Sequence, residues 1–74
     1  MRAGEWVWTP FKDDLSRIEM GFNRDVNKEP TEWRPAFVEE VGVQVRLPDL
    51  EPGVWSVWVR SRGVAERRGS VTVE

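Results

Sequence analysis

The sequence contains neither cysteine nor histidine. Without cysteine no disulfide can staple the chain, although small domains often rely on them. Losing both residue types removes the usual zinc sites. It also removes the commonest general base and the strongest nucleophile. Long apolar runs are missing too: nothing approaches the ~18 residues of a membrane span. Met1 to Thr9 has no apolar stretch behind a basic start, so it does not read as a secretory signal. Strong charge of one sign is absent, because 11 basic and 13 acidic residues leave a net −2. That balance argues against a nucleic-acid binder or a basic membrane-surface protein. The expectation is a cofactor-free, metal-free, non-enzymatic chain. It stays in the cytoplasm where it is made, unless it leaves as part of an assembly.

What the sequence does have is tryptophan: Trp6, Trp8, Trp33, Trp55 and Trp58, five in 74 residues. The length allows one domain, residues 1–74, and a domain this small buries only about 60% of its unfolded surface. A buried aromatic removes roughly 150–250 Å² from water, so a few of them can anchor a thin core. Five exceed that need, and the surplus is expected to face a partner.

Turn residues chop the chain into short pieces with period-two alternation, the pattern of half-buried strands. Strands are expected at Glu5–Thr9, Leu15–Phe22, Trp33–Val38, Val41–Leu47, Val54–Arg60 and Val71–Val73. The cleanest is Val41–Leu47, with Val41, Val43, Val45 and Leu47 on one face and Gly42, Gln44 and Arg46 on the other. Pro35 lacks a backbone donor and confines the third piece to a sheet edge or to irregular chain. A short helix over Leu15–Met20, capped by Asp13 or Asp14, is the alternative for the second. Glu51-Pro52-Gly53 suits a type II turn. Arg62-Gly63 and Arg68-Gly69-Ser70 bracket a hairpin between the last two strands. The expected architecture is an all-β, small antiparallel β-sandwich of five to seven strands. Its inner face would hold Ile18, Met20, Phe22, Val43, Val45, Trp55, Val57, Val71 and Val73.

The segment Leu47-Pro48-Asp49-Leu50-Glu51-Pro52-Gly53-Val54-Trp55-Ser56-Val57-Trp58-Val59-Arg60 resembles the E-to-F corner of immunoglobulin-like and fibronectin-type-III-like domains. The closing Gly69–Glu74 resembles their final strand. Two features depart from that pattern. Trp55 stands where a tyrosine is usual, so the hydroxyl bond at the corner is lost, though an indole N–H can donate in its place. The chain is also shorter than a ~100-residue immunoglobulin domain, which implies one or two missing strands. More narrowly, Gly53–Arg60 followed by Glu66-Arg67-Arg68 and Gly69, with Trp33-Arg34-Pro35-Ala36 upstream, is similar to small virion proteins of tailed phages of actinobacteria. That resemblance implies attachment to the capsid or head–tail region, in many copies. From the charge balance, no nucleic-acid or membrane partner is expected.

Other constellations read as ordinary surface. Asp13-Asp14 and Glu39-Glu40 are adjacent in sequence, and neighbours on a strand point to opposite faces, so neither pair converges on one substrate atom. Asp25, Asn27 and Glu29 loosely resemble a calcium loop but lack its glycine and its distant glutamate. Arg60, Arg62, Arg67 and Arg68 cluster around the last hairpin, as an anion or phosphate contact, as a salt-bridge patch to an acidic partner, or as charges guarding an edge. On the fifth strand Trp55 is assigned to the inside, which sends Trp58 to the outer face. There it contacts a partner or lies under the chain's own N-terminal segment, through Trp6 or Trp8. The expected partner-binding residues are therefore Trp58, Arg60, Arg62, Arg67 and Arg68. Strand addition to a neighbour's sheet would suit so short a sandwich. Two alternatives remain open: a carbohydrate or surface-binding module of the same fold, and a small regulatory protein that binds one soluble partner.

Overall fold

A computed structural model of the chain describes residues 1–11, 17–39 and 41–74. Alternation dictates the strands found among them: β1 (Trp6–Pro10), β2 (Ile18–Asn23), β3 (Arg34–Pro35), β4 (Phe37–Glu39), β5 (Gly42–Arg46), β6 (Gly53–Ser61) and β7 (Val64–Val73). They form two antiparallel sheets, a three-stranded one of order β1-β5-β4 and a four-stranded one of order β3-β2-β6-β7. The fold is all-β, as the periodicity requires. The proposed helix over Leu15–Met20 is replaced from Ile18 onward by β2, and its start and cap at Asp13, Asp14 and Leu15 lie outside the described residues.

Each sheet buries one face against the other. Val7, Val43 and Val45 from the three-stranded sheet meet Ile18, Met20, Val57, Val59 and Val73 from the four-stranded one, with Leu47 and Phe11 alongside. Phe22, Trp55 and Val71 are only partly buried, packed against the rim of this cluster. Burying an aliphatic side chain completely contributes about 1.5–3 kcal/mol, so this valine-rich cluster is the main source of stability. The N-terminus closes one end of the sandwich. The Met1 ammonium donates to the Thr72 carbonyl (2.7 Å), and Glu74 N–H donates to the Met1 carbonyl (2.8 Å).

Two sequence expectations are corrected here. The last hairpin is tighter and longer than expected. Ser61 pairs with Val64, which leaves Arg62 and Gly63 as a two-residue turn with φ of 55° and 79°. Positive φ at both central positions is the type I′ geometry that matches strand twist. The run Glu66-Arg67-Arg68 therefore lies within β7, and Arg68 falls where the register shifts between Val57 and Trp58 as a β-bulge. The piece Trp33–Val38 divides in two. Pro35 ends an edge strand on β2, the chain crosses at Ala36, and Phe37 begins an edge strand on β5. At the predicted corner, Gly53 takes φ of 138° and the Trp55 indole N–H donates to the Glu51 carbonyl at 2.9 Å.

Candidate docking surface

Register decides what each outer face displays. In the three-stranded sheet Trp6 pairs with Arg46, Trp8 with Gln44 and Pro10 with Gly42, while Phe37 pairs with Gln44. Val7, Thr9, Val43 and Val45 turn inward and are buried, so Trp6, Trp8, Phe37, Gln44 and Arg46 share the outside. The aromatics are 41% (Trp6), 48% (Trp8) and 60% (Phe37) exposed. Exposed aromatics grouped on one face are the most unusual feature of the surface, which makes this face the candidate site.

These rings are held in place. Trp6 and Phe37 stand edge to face, centroids 5.8 Å apart and planes at 82°. The Arg46 guanidinium lies 4.4 Å from the Trp6 ring centroid and donates through Nη1 to the Gly4 carbonyl at 2.8 Å. Trp8 rests on Gly42, where any β-carbon would overlap the indole. Where the chain crosses at Ala36 from the four-stranded to the three-stranded sheet there is a cleft of about 570 Å³, lined by Trp6, Arg34, Pro35, Phe37, Val45 and Arg46. The groove between the edge strands β1 and β7 is smaller, about 220 Å³.

The residues singled out from the sequence do not form one surface. Trp58 does face outward from β6, yet it is only 9% exposed, so the expectation of a protruding anchor is corrected. Trp6 and Trp8 do not cover it, because they belong to the outer face of the other sheet. The cover is the loop that follows β2. Pro30 sits on Gly21, the register partner of Trp58, with a hypothetical Gly21 β-carbon only 2.8 Å from Pro30 Cβ and 2.9 Å from the Glu32 carbonyl oxygen. Below it, the Trp58 indole N–H donates to Ser56 Oγ (2.9 Å), and that hydroxyl donates to the Asn23 carbonyl (2.6 Å).

The arginines divide among separate tasks. Arg60 pairs with Glu19 Oε1 at 2.7 Å and stacks 4.3 Å from the Trp33 ring centroid. Arg62 occupies the turn. Arg67 is the register partner of Trp58 and is exposed. The bulge turns Arg68 the other way, where Nη2 donates to the Pro10 carbonyl (3.1 Å) and the guanidinium lies 5.3 Å from the Phe11 ring centroid. Arg60 and Arg68 are thus tied to the domain itself.

In the polar loop, Asn23 Nδ2 donates to the carbonyls of Lys28 and Glu29, both at 3.0 Å, and Asp25 Oδ1 accepts from Asn27 N–H at 2.9 Å. The Asp25 oxygen of the loosely calcium-like run serves the turn. Among the described residues no three carboxylate-type groups gather to hold a metal. Of the adjacent acidic pairs, Asp13-Asp14 and Glu40 lie outside the described residues.

Sequence reasoning missed Trp6, Phe37, Arg34 and Arg46 as a group. Alternation did place Trp6 and Trp8 opposite Val7 and Thr9. The signal for which side faces water was the pairing with β5, whose Gly42, Gln44 and Arg46 are plainly the outer set. No family model matches the chain, and neither does any curated protein or solved structure.

Proposed function

We propose that this domain is a non-enzymatic interaction module that docks on a larger protein assembly through the outer face of β1, β5 and β4. The observation that carries this reading is the set Trp6, Trp8 and Phe37, 41–60% exposed yet fixed by their neighbours. A pre-positioned aromatic costs little ordering entropy on binding, which is why such residues dominate interface hot spots. The role assigned to Trp58 from the sequence passes to these residues.

The leading setting is a phage virion, with many copies on the capsid or head–tail region. It rests on the resemblance of Gly53–Arg60, Glu66–Gly69 and Trp33–Ala36 to such proteins. The immunoglobulin-like part of the resemblance is supported by the strand orders β1-β5-β4 and β3-β2-β6-β7, which parallel B-E-D and C′-C-F-G of that fold. A carbohydrate-binding role draws on the same exposed rings. Against it, Trp6 and Phe37 meet at 82° and form an angled notch. A flat sugar ring prefers a flat platform, whereas a notch grips a side chain. Glycan titration followed by tryptophan fluorescence tests that alternative.

Photo-crosslinking tests the docking reading. A benzophenone amino acid replaces Phe37 in cells that make the assembly, and the same replacement at Val54, 59% exposed on the other sheet, serves as the control. One discrete adduct from position 37 and none from 54 is expected. No adduct, or the same adduct from both positions, would remove the aromatic face from consideration.

A further inference from the structure

The cleft beside the aromatic face has a chemistry of its own, which deepens the docking reading and rests on it. Its volume, about 570 Å³, falls in the range of sites that enclose a small ligand or a short chain segment. Trp6 and Phe37 form two walls at 82° to each other, and buried Val45 contributes to the lining between them. The charged groups that complete the lining are both cations, Arg34 and Arg46, and among the described residues no carboxylate joins them.

The isolation of these two cations is informative. Four other arginines are matched: Arg2 with Glu74, Arg24 with Glu51, Arg60 with Glu19 and Arg68 with Glu66. Arg17 and Arg67 also lack a carboxylate partner among the described residues, but neither lines the cleft. Neither Arg34 nor Arg46 has a carboxylate partner among the described residues. Arg46 is oriented by the Trp6 ring and the Gly4 carbonyl, which engage its π-face and one N–H and leave further donors of the guanidinium fork available. The Arg34 side chain makes no hydrogen bond or ion pair among the described residues and can adjust to a ligand. A positive, apolar cleft on a chain of net charge −2 selects for a local feature of a partner.

We infer that this cleft takes an extended acidic segment of the partner protein, with one apolar side chain seated between Trp6 and Phe37 and flanking carboxylates on Arg34 and Arg46. The apolar walls exclude water from the anchor. That exclusion strengthens the charge-assisted hydrogen bonds at the rim. Arginine can meet each carboxylate with two parallel N–H donors, which adds geometric selectivity to the charge attraction. A polyanion without apolar groups, such as a phosphate backbone, would leave the aromatic walls unused.

The test is a selection of random nonapeptides displayed on particles against the folded domain, with parallel selection against Arg34→Glu. Enriched sequences are expected to carry Asp or Glu within two positions of a leucine or an aromatic. A synthetic copy of the leading sequence should bind about tenfold more weakly to Arg34→Glu, keep most of its affinity for Arg34→Lys, and weaken as salt is raised. An unchanged melting temperature of Arg34→Glu shows that the fold persists. No enrichment, enrichment of neutral or basic sequences, or equal binding to Arg34→Glu overturns the inference. These failures differ from failure of the docking reading. A crosslink at position 37 without acidic preference leaves docking intact and removes only the acidic segment.

Discussion

The two outer faces of the sandwich treat their tryptophans in opposite ways. On the four-stranded sheet, Trp58 lies under the 24–33 segment, its indole N–H satisfied by Ser56, while Trp33 packs beneath the Arg60 guanidinium that also pairs with Glu19. On the three-stranded sheet, Trp6 and Trp8 remain in contact with solvent, and no described segment crosses them. Both faces begin from the same strand alternation. The connection after β2, residues 24–33, is long enough to fold back over its own sheet, a third layer in miniature. The β4–β5 connection spans only residues 40–41. One face is thereby covered, and the aromatics of the other remain exposed.

Substitutions can break this contrast. Trp58→Ala removes a buried aromatic under the loop and is expected to cost about 3–5 kcal/mol. For a domain whose whole stability is ~5–15 kcal/mol, that is a large fraction, and thermal unfolding should show a much lower midpoint. A midpoint unchanged within error would mean that Trp58 is a surface residue after all.

Gly21→Val attacks the cover directly. Its side chain must displace Pro30 and the Glu32 carbonyl, at an expected cost of about 3 kcal/mol. Amide exchange in residues 24–33 should accelerate more than in β1 or β5. Uniform acceleration across both sheets would show that the loop is not a separate layer.

Ser56→Ala sharpens the point at one atom. It leaves the Trp58 N–H and the Asn23 carbonyl without their shared hydroxyl, for about 1–2 kcal/mol in chemical denaturation. A neutral effect would mean that water supplies both bonds.

Trp6→Ala is the counterpart on the open face. It gives up the ring contact with Phe37 and the stacking with Arg46, together about 1 kcal/mol or less at an exposed site. The midpoint should move little, while crosslinking from position 37 is lost. A destabilisation as large as that of Trp58→Ala would make the two faces equivalent and undo the comparison.

Much of the fold was legible in the alternation. Val43 and Val45 in β5, and Met20 and Ile18 in β2, turned inward as their spacing required. The corner at Pro52-Gly53 and the replacement of a hydroxyl by the Trp55 indole were readable because turns depend on local φ preferences and nearby donors. The candidate surface was harder to see. Residues 34 and 46 come together only because the chain crosses between sheets at Ala36, and nothing in the spacing of Trp33–Val38 announces that crossing. Trp58 was assigned correctly to the outer side of its strand. Its burial depends on a loop that is polar from Arg24 to Glu32 apart from Val26 and Pro30.

By itself the sequence determined β1, β2, β5 and β6, most of their inward residues and the Pro52-Gly53 corner, because a period of two and the φ limits of proline and glycine act within a few residues. Only the tertiary structure decided which outward tryptophan is dry and which is wet. That outcome hangs on where a distant loop lands and on which strands become edges, and contacts between segments far apart in the chain leave no local trace. The same reason put two arginines with no carboxylate partner among the described residues beside an aromatic notch, the feature on which the functional reading now rests.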